Sequence, residues 1–544
     1  MATRTHVVIG AAAAGAAALA ALLYLHTRRS KKRKGQKSSQ LLPNSSRQKT
    51  LKYLMEGDVW KFHVYEVPAA RKEGHEVVHA SPPHIFGQPF HLAIKAAHVE
   101  SILGAEGLEK ARQFYEPFDN AFGLGYKNLV TRKSKGDGWH PIRKKVAPFF
   151  AQTNLSKRME GIHEKLQEML DNFKAAGAKD EALDIGAEFT KLTVDVIAAT
   201  AFDYDLKTQK GGEEGEAILE GIPILLKEAV LSHHIPVRRW FSWFFPEVQK
   251  ANKMREKLTE ICLKILRLRR EKGEIDLSKD NTLIARILDA EYESEMHRAA
   301  DVMTFLFAGH DTTGFTLSWT VFELVKHPEK LKRAQQEIES LMEERPADKR
   351  DGLITFEDFG KIPFIYACIR EAMRMWPVVP GGGSRQVPKG HPLTLGDYVI
   401  PAGGTVAISQ AGLGRAPEWG DPNNFRPERW LEESDTETAT EAPASSSESE
   451  SEDTQAQSLQ PQLKKAKALP IAELQKKYWL PFSSGPRNCV GMNLALMEAR
   501  VVLAAVLYHF NFDVKKLPVP GDEMTTYAIA KPKGGVWLVP RSRR

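Results

Sequence analysis

Cysteine is scarce. The chain of 544 residues holds three, Cys262, Cys368 and Cys489. They are too few and too scattered for a disulfide framework, and an odd count points to a reducing compartment with at least one thiol left for other work. Long uncharged runs are missing except for Val7 to Leu25, which excludes a polytopic membrane protein. No internal repeat occurs, and no glycine motif for a flavin or nicotinamide. Charge of one sign is missing in two places. Residues 1–55 carry eleven Lys or Arg and no acid, whereas residues 432–453 carry nine acids and no base. The formal charge of +7 is therefore largely a terminal effect on a mildly basic body, and it gives no warrant for a nucleic-acid partner.

What is present fits a folded globular chain, with 42% hydrophobic and 27% charged residues. Length alone, at roughly 150 residues per domain, would suggest about three or four domains. As a helix, the nineteen residues from Val7 to Leu25 span roughly 28 Å, close to a hydrocarbon core. Arg28, Arg29, Lys31, Lys32, Arg33 and Lys34 follow the run and only Arg4 precedes it, so the positive-inside rule puts the body in the cytosol. A cleaved signal is the alternative. The length of the run and the basic block after it favour an uncleaved single-pass anchor over residues 1–27, followed by a basic linker over 28–54.

Residues 51–116 mix short β-rich stretches, "KFHVYEV" and "HEVVHA", with polar sequence. After Gly138 helical periodicity dominates. "LSKRMEGIHEKLQEMLDNFKAA" places Leu155, Met159, Ile162, Leu166, Met169 and Leu170 on one stripe. "EFTKLTVDVIAATAF", "KLTEICLKILRLRREKG" and "HPEKLKRAQQEIESLM" read the same way, and strands return near "YVIPAGGTVAIS" and "GGVWLVP". The class expected is mainly α with small β-sheets. Residues 432–468, rich in Ser, Glu, Thr, Ala and Gln, have almost nothing to bury and read as an acidic disordered insertion.

"FSSGPRNCVG", Phe482 to Gly491, sets Cys489 among Gly485-Pro486, Arg487 and Gly491, ahead of the apolar run "MNLALMEARVVLAAVLYHF". Backbone N–H groups at a helix start would stabilise a thiolate there. A lone cysteine in such a turn is equally compatible with an inert buried thiol. The surrounding residues decide, because the stretch resembles the heme-binding loop of the cytochrome P-450 superfamily, F-x-x-G-x-R-x-C-x-G. Phe482, Gly485, Arg487, Cys489 and Gly491 fill its fixed positions, and Ala495 and Glu498 continue the pattern.

Other family motifs precede it in the family's order. Glu371 and Arg374 in "CIREAMRMWP" match the E-x-x-R helix, and "FRPERW" resembles the segment whose Arg429 joins them in a structural network. "FAGHDTTGF" resembles the long central helix. There Ala308 and Gly309 are small enough for a planar cofactor and O₂ to approach, and Asp311 and Thr312 put an acid beside a hydroxyl for a proton relay. A Thr back-bond to its own helix is the bland reading of Thr312. His310 is taken as an ordinary helix residue, since an axial histidine opposite the thiolate would block O₂. Trp139 and Arg143 in "WHPIRKK" have the family's spacing at the heme edge, and Arg385 is similar to a further propionate ligand. Lys144 and Lys145 read either as a solvated face or as part of a docking surface for an acidic reductase.

The resemblance implies one P-450 domain over residues 55–544, interrupted by the 432–468 insertion, with Cys489 as the axial ligand of heme iron. It implies noncovalent heme b, because Ala308 stands where some ω-hydroxylases carry the Glu that bonds heme. It also implies O₂ as co-substrate, electrons from an NADPH–cytochrome P-450 reductase or cytochrome b5, and an endoplasmic-reticulum membrane location. Phe305, Ala308, Val378, Val379 and Ile529 are the candidate pocket residues, mostly apolar, for a fatty acid, sterol or terpenoid. "IPVRRWFSWFFP", Ile235 to Pro246, reads either as a membrane-dipping loop or as a packed corner. Two other functions share these motifs: a P-450-fold isomerase or dehydratase working without O₂, and a non-catalytic heme or lipid binder.

Overall fold

The computed structural model describes residues 52–53, 58, 61–80, 90–104, 108–431, 469–525 and 529–543. The expected anchor over 1–27, most of the basic linker over 28–54 and the acidic insertion over 432–468 lie outside the described residues.

The helices that carry the fold are α1 (Arg112–Asn120), α2 (Trp139–Val146), α3 (Met159–Ala178), α4 (Ile185–Phe202) and α5 (Glu213–His234). They continue with α6 (Pro246–Glu271), α7 (Glu295–Lys326), α8 (Pro328–Glu343), α9 (Pro363–Met375) and α10 (Met492–His509). The expected stripe is buried throughout, although Leu155 ends a separate short helix, Gln152–Leu155, and only Met159 to Leu170 lie on α3. Ser294 caps the 32-residue α7 by accepting from His297 N. From Ala299 onward α7 is buried on nearly all sides, which marks it as the central rod of the core rather than an amphipathic surface helix. It packs on α4, α6, α9 and α10. By length and composition α10 could cross a membrane, but most of it is buried within the protein, where it is a core helix.

The strands are β1 (Val77–Ala80), β2 (Phe90–Ala93), β3 (Leu183–Asp184), β4 (Gly382–Gln386), β5 (Leu393–Leu395), β6 (Tyr398–Ile400), β7 (Thr405–Ile408), β8 (Phe510–Lys516), β9 (Met524–Thr525), β10 (Lys531–Pro532) and β11 (Trp537–Ser542). They form four small sheets, the largest in the order β1-β2-β7-β4 with β2 and β7 parallel. The mainly α class with small sheets is thus observed, and the described residues bury one large hydrophobic cluster and two smaller ones.

One local expectation fails. "KFHVYEV" is not a strand; residues 62–66 form a π-helical turn that runs into a short helix, Val67–Lys72. Phe62, Val67 and Ala70 are buried together with residues of β1, β2 and β7, so packing against the sheet overrides the local β preference.

Candidate active site

The loop after Leu480 is shaped by its own hydrogen bonds. Cys489 N donates to Phe482 O at 2.9 Å and Asn488 N to Gly485 O at 3.1 Å. Gly485 has a φ of +71°, and a Cβ there would lie 1.9 Å from Leu103 O, so no other residue fits without moving backbone. The loop ends where α10 begins, and this sets the Cys489 sulfur against the N–H groups of Gly491 and Met492. Burial pushes the Cys489 thiol up; the Gly491 N–H, the Arg143 guanidinium and the Met492 N–H pull it back, without cancelling the rise. Cys489 has accessible surface although protein encloses it, because an internal cavity opens beside it. Cys262 and Cys368 are buried, and burial pushes both thiols up.

The cavity measures about 310 Å³. Phe482, Cys489, Gly491 and Leu494 form one side. Residues of α7 face it, among them Phe305, Ala308, Gly309 and Thr312, with Val378 and Val379 completing the apolar wall. Gly309 also serves helix packing, since a Cβ there would meet Ile197 of α4 at 2.8 Å. Ile529 is not part of the lining. Its neighbour Ala530 instead donates its N–H to Val378 O at 2.7 Å, placing that segment behind the wall.

One edge of the cavity is cationic. Trp139 and Arg143, one turn apart on α2, both line it, and Arg143 Nη2 donates to Asn488 O at 3.2 Å and Oδ1 at 3.1 Å. Arg487 lies 4.0 Å from the centre of the Trp139 ring and donates to Arg132 O at 2.9 Å. Burial, followed by repulsion from Arg385, pulls the Arg487 guanidinium down to about 10. Arg385 itself does not line the cavity; it is buried behind it, within reach of Tyr115.

The motifs miss a fourth cation, Lys110. Its backbone bridges to Arg385, its ammonium donates to Val130 O, and it lines the cavity 4.3 Å from the centre of the Tyr115 ring. Burial, then repulsion from Arg487, Arg385 and Arg143, holds it well below the ordinary lysine value. Lys110 stands in no recognisable motif, and only its pairing with the strand of Arg385 brings it here. Among the lining residues the one acid is Glu498, whose Oε1 has no partner and whose carboxyl burial pushes well up toward the neutral form.

These features fit heme. The site offers a thiol that a metal ion would deprotonate, a mainly apolar cavity against the Ala308–Gly309 stretch of α7, and four crowded cations, Lys110, Arg143, Arg385 and Arg487, for which no ion pair is found among the described residues. A Lys110→Met variant removes one charge-assisted contact worth about 1.5–3 kcal/mol, so heme should pass to apomyoglobin roughly ten to a hundred times faster. An unchanged transfer rate would remove Lys110 from the heme edge.

Beneath the loop, Glu371 and Arg374 on α9 form the expected pair, with Nε–Oε2 at 2.9 Å and Nη2–Oε1 at 2.8 Å. Arg429 Nε donates to the same carboxylate at 3.1 Å and Trp430 Nε1 at 2.9 Å. The relay pair, by contrast, is adjacent without being joined. Thr312 Oγ1 donates to Ala308 O at 2.7 Å, its own helix carbonyl, and Asp311 is outside the cavity lining.

Known proteins bear on this arrangement. The family model described as Cytochrome P450 matches residues 83–539. The chain belongs to the cytochrome P450 family. Cytochrome P450 97B2, chloroplastic, of Glycine max is 29% identical over 74% of this chain and 70% of its own length. Cytochrome P450 4A24 of Sus scrofa is 27% identical over 74% and 73% respectively. The taurochenodeoxycholic 6 alpha-hydroxylase of Sus scrofa is also 27% identical, over the same shares. The P450 membership makes this chain a heme monooxygenase.

Proposed function

We propose that the protein is a membrane-anchored P450 that hydroxylates a lipophilic substrate, a fatty acid, sterol or terpenoid, with electrons from an NADPH-dependent reductase or cytochrome b5 at the endoplasmic reticulum. One observation carries this reading: the cavity wall beyond the cationic edge is apolar, built from Phe305, Ala308, Val378 and Val379. Thiolate-ligated heme, when bound, supplies O₂ activation and oxygen insertion. The chain's own residues do the rest. With heme bound, Cys489 would supply the sulfur and Arg143, Arg487 and Lys110 would hold the propionates, with Arg385 behind them. Glu371, Arg374 and Arg429 hold the floor, and the apolar wall orients the substrate and excludes water. Thr312 is the cavity hydroxyl from which a proton is handed inward, with Asp311 behind it on α7.

The segment Ile235–Pro246 supports the membrane reading. Its two tryptophans, Trp240 and Trp243, are 75% and 71% exposed, and Phe241 and Phe244 are exposed beside them. A packed corner would have buried these rings, whereas an interfacial loop leaves them outward with Arg238 and Arg239 alongside. Lys144 and Lys145 are exposed on α2, where they suit an acidic electron donor, although Lys145 is paired with Asp289. The experiment is a substrate-binding spectral titration of the ferric protein with a long-chain fatty acid, a sterol and a terpenoid. A saturable shift in one class is expected. No shift in any of them, with a shift for a polar ligand, would overturn the lipophilic assignment.

A further inference from the structure

His310 interrupts the small-residue stretch of α7, and the structure gives both of its ring nitrogens a partner away from the cavity. Nδ1 lies 2.8 Å from Leu306 O, one turn back, and a carbonyl only accepts, so Nδ1 carries a proton. Nε2 lies 3.1 Å from Asp311 Oδ1. The ring is 1% exposed, and its backbone carbonyl accepts from Thr193 Oγ1 of α4 at 2.9 Å. The ring edge meets Phe307, and His310 is absent from the cavity lining. It is therefore not an axial ligand, but neither is it an ordinary helix residue, because it holds the acid that the relay reading needs. Burial lowers the affinity of the imidazole for its second proton, and Asp311 together with the Leu306 and Phe307 carbonyls more than restores it.

We propose that His310 is the positioning residue of the relay: its Nε2, 3.1 Å from Asp311 Oδ1, clamps the Asp311 carboxyl group aside from Thr312. The proposal rests on the relay reading of Asp311 and Thr312. Asp311 is itself 9% exposed, so without His310 its carboxyl group would lose the partner that fixes its direction in the interior. The adjacency of the two residues on one helix makes the clamp local, and the bond from Thr193 fixes the backbone that carries it.

Two measurements on the full-length heme protein test this. The first is the infrared spectrum at neutral pH of wild type, His310→Phe and Asp311→Asn. Wild type should show a carboxyl-group band that Asp311→Asn deletes, and His310→Phe should shift that band because the contact at Oδ1 is lost. A band unchanged in His310→Phe would overturn the clamp. The second is peroxide released per NADPH consumed, with reductase and with dodecanoate as the probe, normalised to CO-binding heme so that loss of folding is not counted. His310→Phe should raise the ratio severalfold, His310→Gln, which keeps a donor, should raise it less, and His310→Phe/Asp311→Asn should be no worse than Asp311→Asn alone. Wild-type coupling in His310→Phe alongside uncoupled Asp311→Asn would overturn the role. Wild-type coupling in Asp311→Asn would instead overturn the relay itself, while the infrared band still reports on the clamp.

Discussion

Arg374→Ala is expected to prevent accumulation of folded, heme-loaded protein. The Arg374 and Glu371 side chains have no exposed surface, and the guanidinium spends its fork on the carboxylate and on three backbone carbonyls: Gly414 at 2.6 Å, Pro422 at 2.7 Å and Asn424 at 3.1 Å. Truncation would take this donor from those carbonyls and the paired guanidinium from Glu371, leaving the buried carboxylate only Arg429, Trp430 and the Arg426 N–H. Breaking a buried pair from one side costs about 3–5 kcal/mol, against a total stability of about 5–15 kcal/mol for a typical protein. Arg374→Lys should fail as well, since an ammonium cannot reproduce the planar fork. Asp421→Ala removes only the outer, part-exposed partner of Arg429 and should cost about 1 kcal/mol or less. CO-binding heme per mole of protein, with thermal unfolding, measures all three. Wild-type heme content in Arg374→Ala would refute the network's role. The pH sign follows from Glu371. Burial raises its carboxyl, but Arg374 and then Arg429 hold it below the ordinary value of 4.5. Its contribution to stability is thus full above that value and is lost as pH falls through the lowered one, and Glu371→Gln should flatten the acid limb of the unfolding profile.

Cys489→His is expected to retain some heme and lose NADPH-driven oxygenation to background. The cationic edge formed by Lys110, Arg143 and Arg487 is untouched by the substitution, so the propionate contacts should persist. What disappears is the sulfur at the start of α10, whose electron density favours O–O cleavage. Histidine is a competent iron ligand of a different kind. Product formation per CO-binding heme measures the loss, and turnover near wild type would show that the sulfur is dispensable.

Much of this was legible in the residues. The Cys489 loop, the Glu371–Arg374 pair and the Arg429 segment carry their chemistry at fixed spacing, and the structure joins Arg374 and Arg429 to Glu371 as read. Periodicity placed α3 and α4 because their apolar stripes face the core. "KFHVYEV" misled because its alternation is local, whereas the sheet beside it decides its conformation. Lys110 was invisible because a bridge between distant segments puts it among the arginines. The state of Asp311 was equally hidden. Sequence shows an acid next to a hydroxyl, but only rotamers show Thr312 bonded to Ala308 O and Asp311 turned to His310. Arg385 and Ile529 match family positions yet stand one layer behind the wall.

Whether Cys489 is the thiolate ligand of the heme is decided by the carbon monoxide difference spectrum of the dithionite-reduced protein at neutral pH, wild type beside Cys489→His. The wild type should give the red-shifted Soret band of a thiolate-ligated ferrous–CO heme, and the variant should lack it. A red-shifted band that survives in Cys489→His would contradict the assignment.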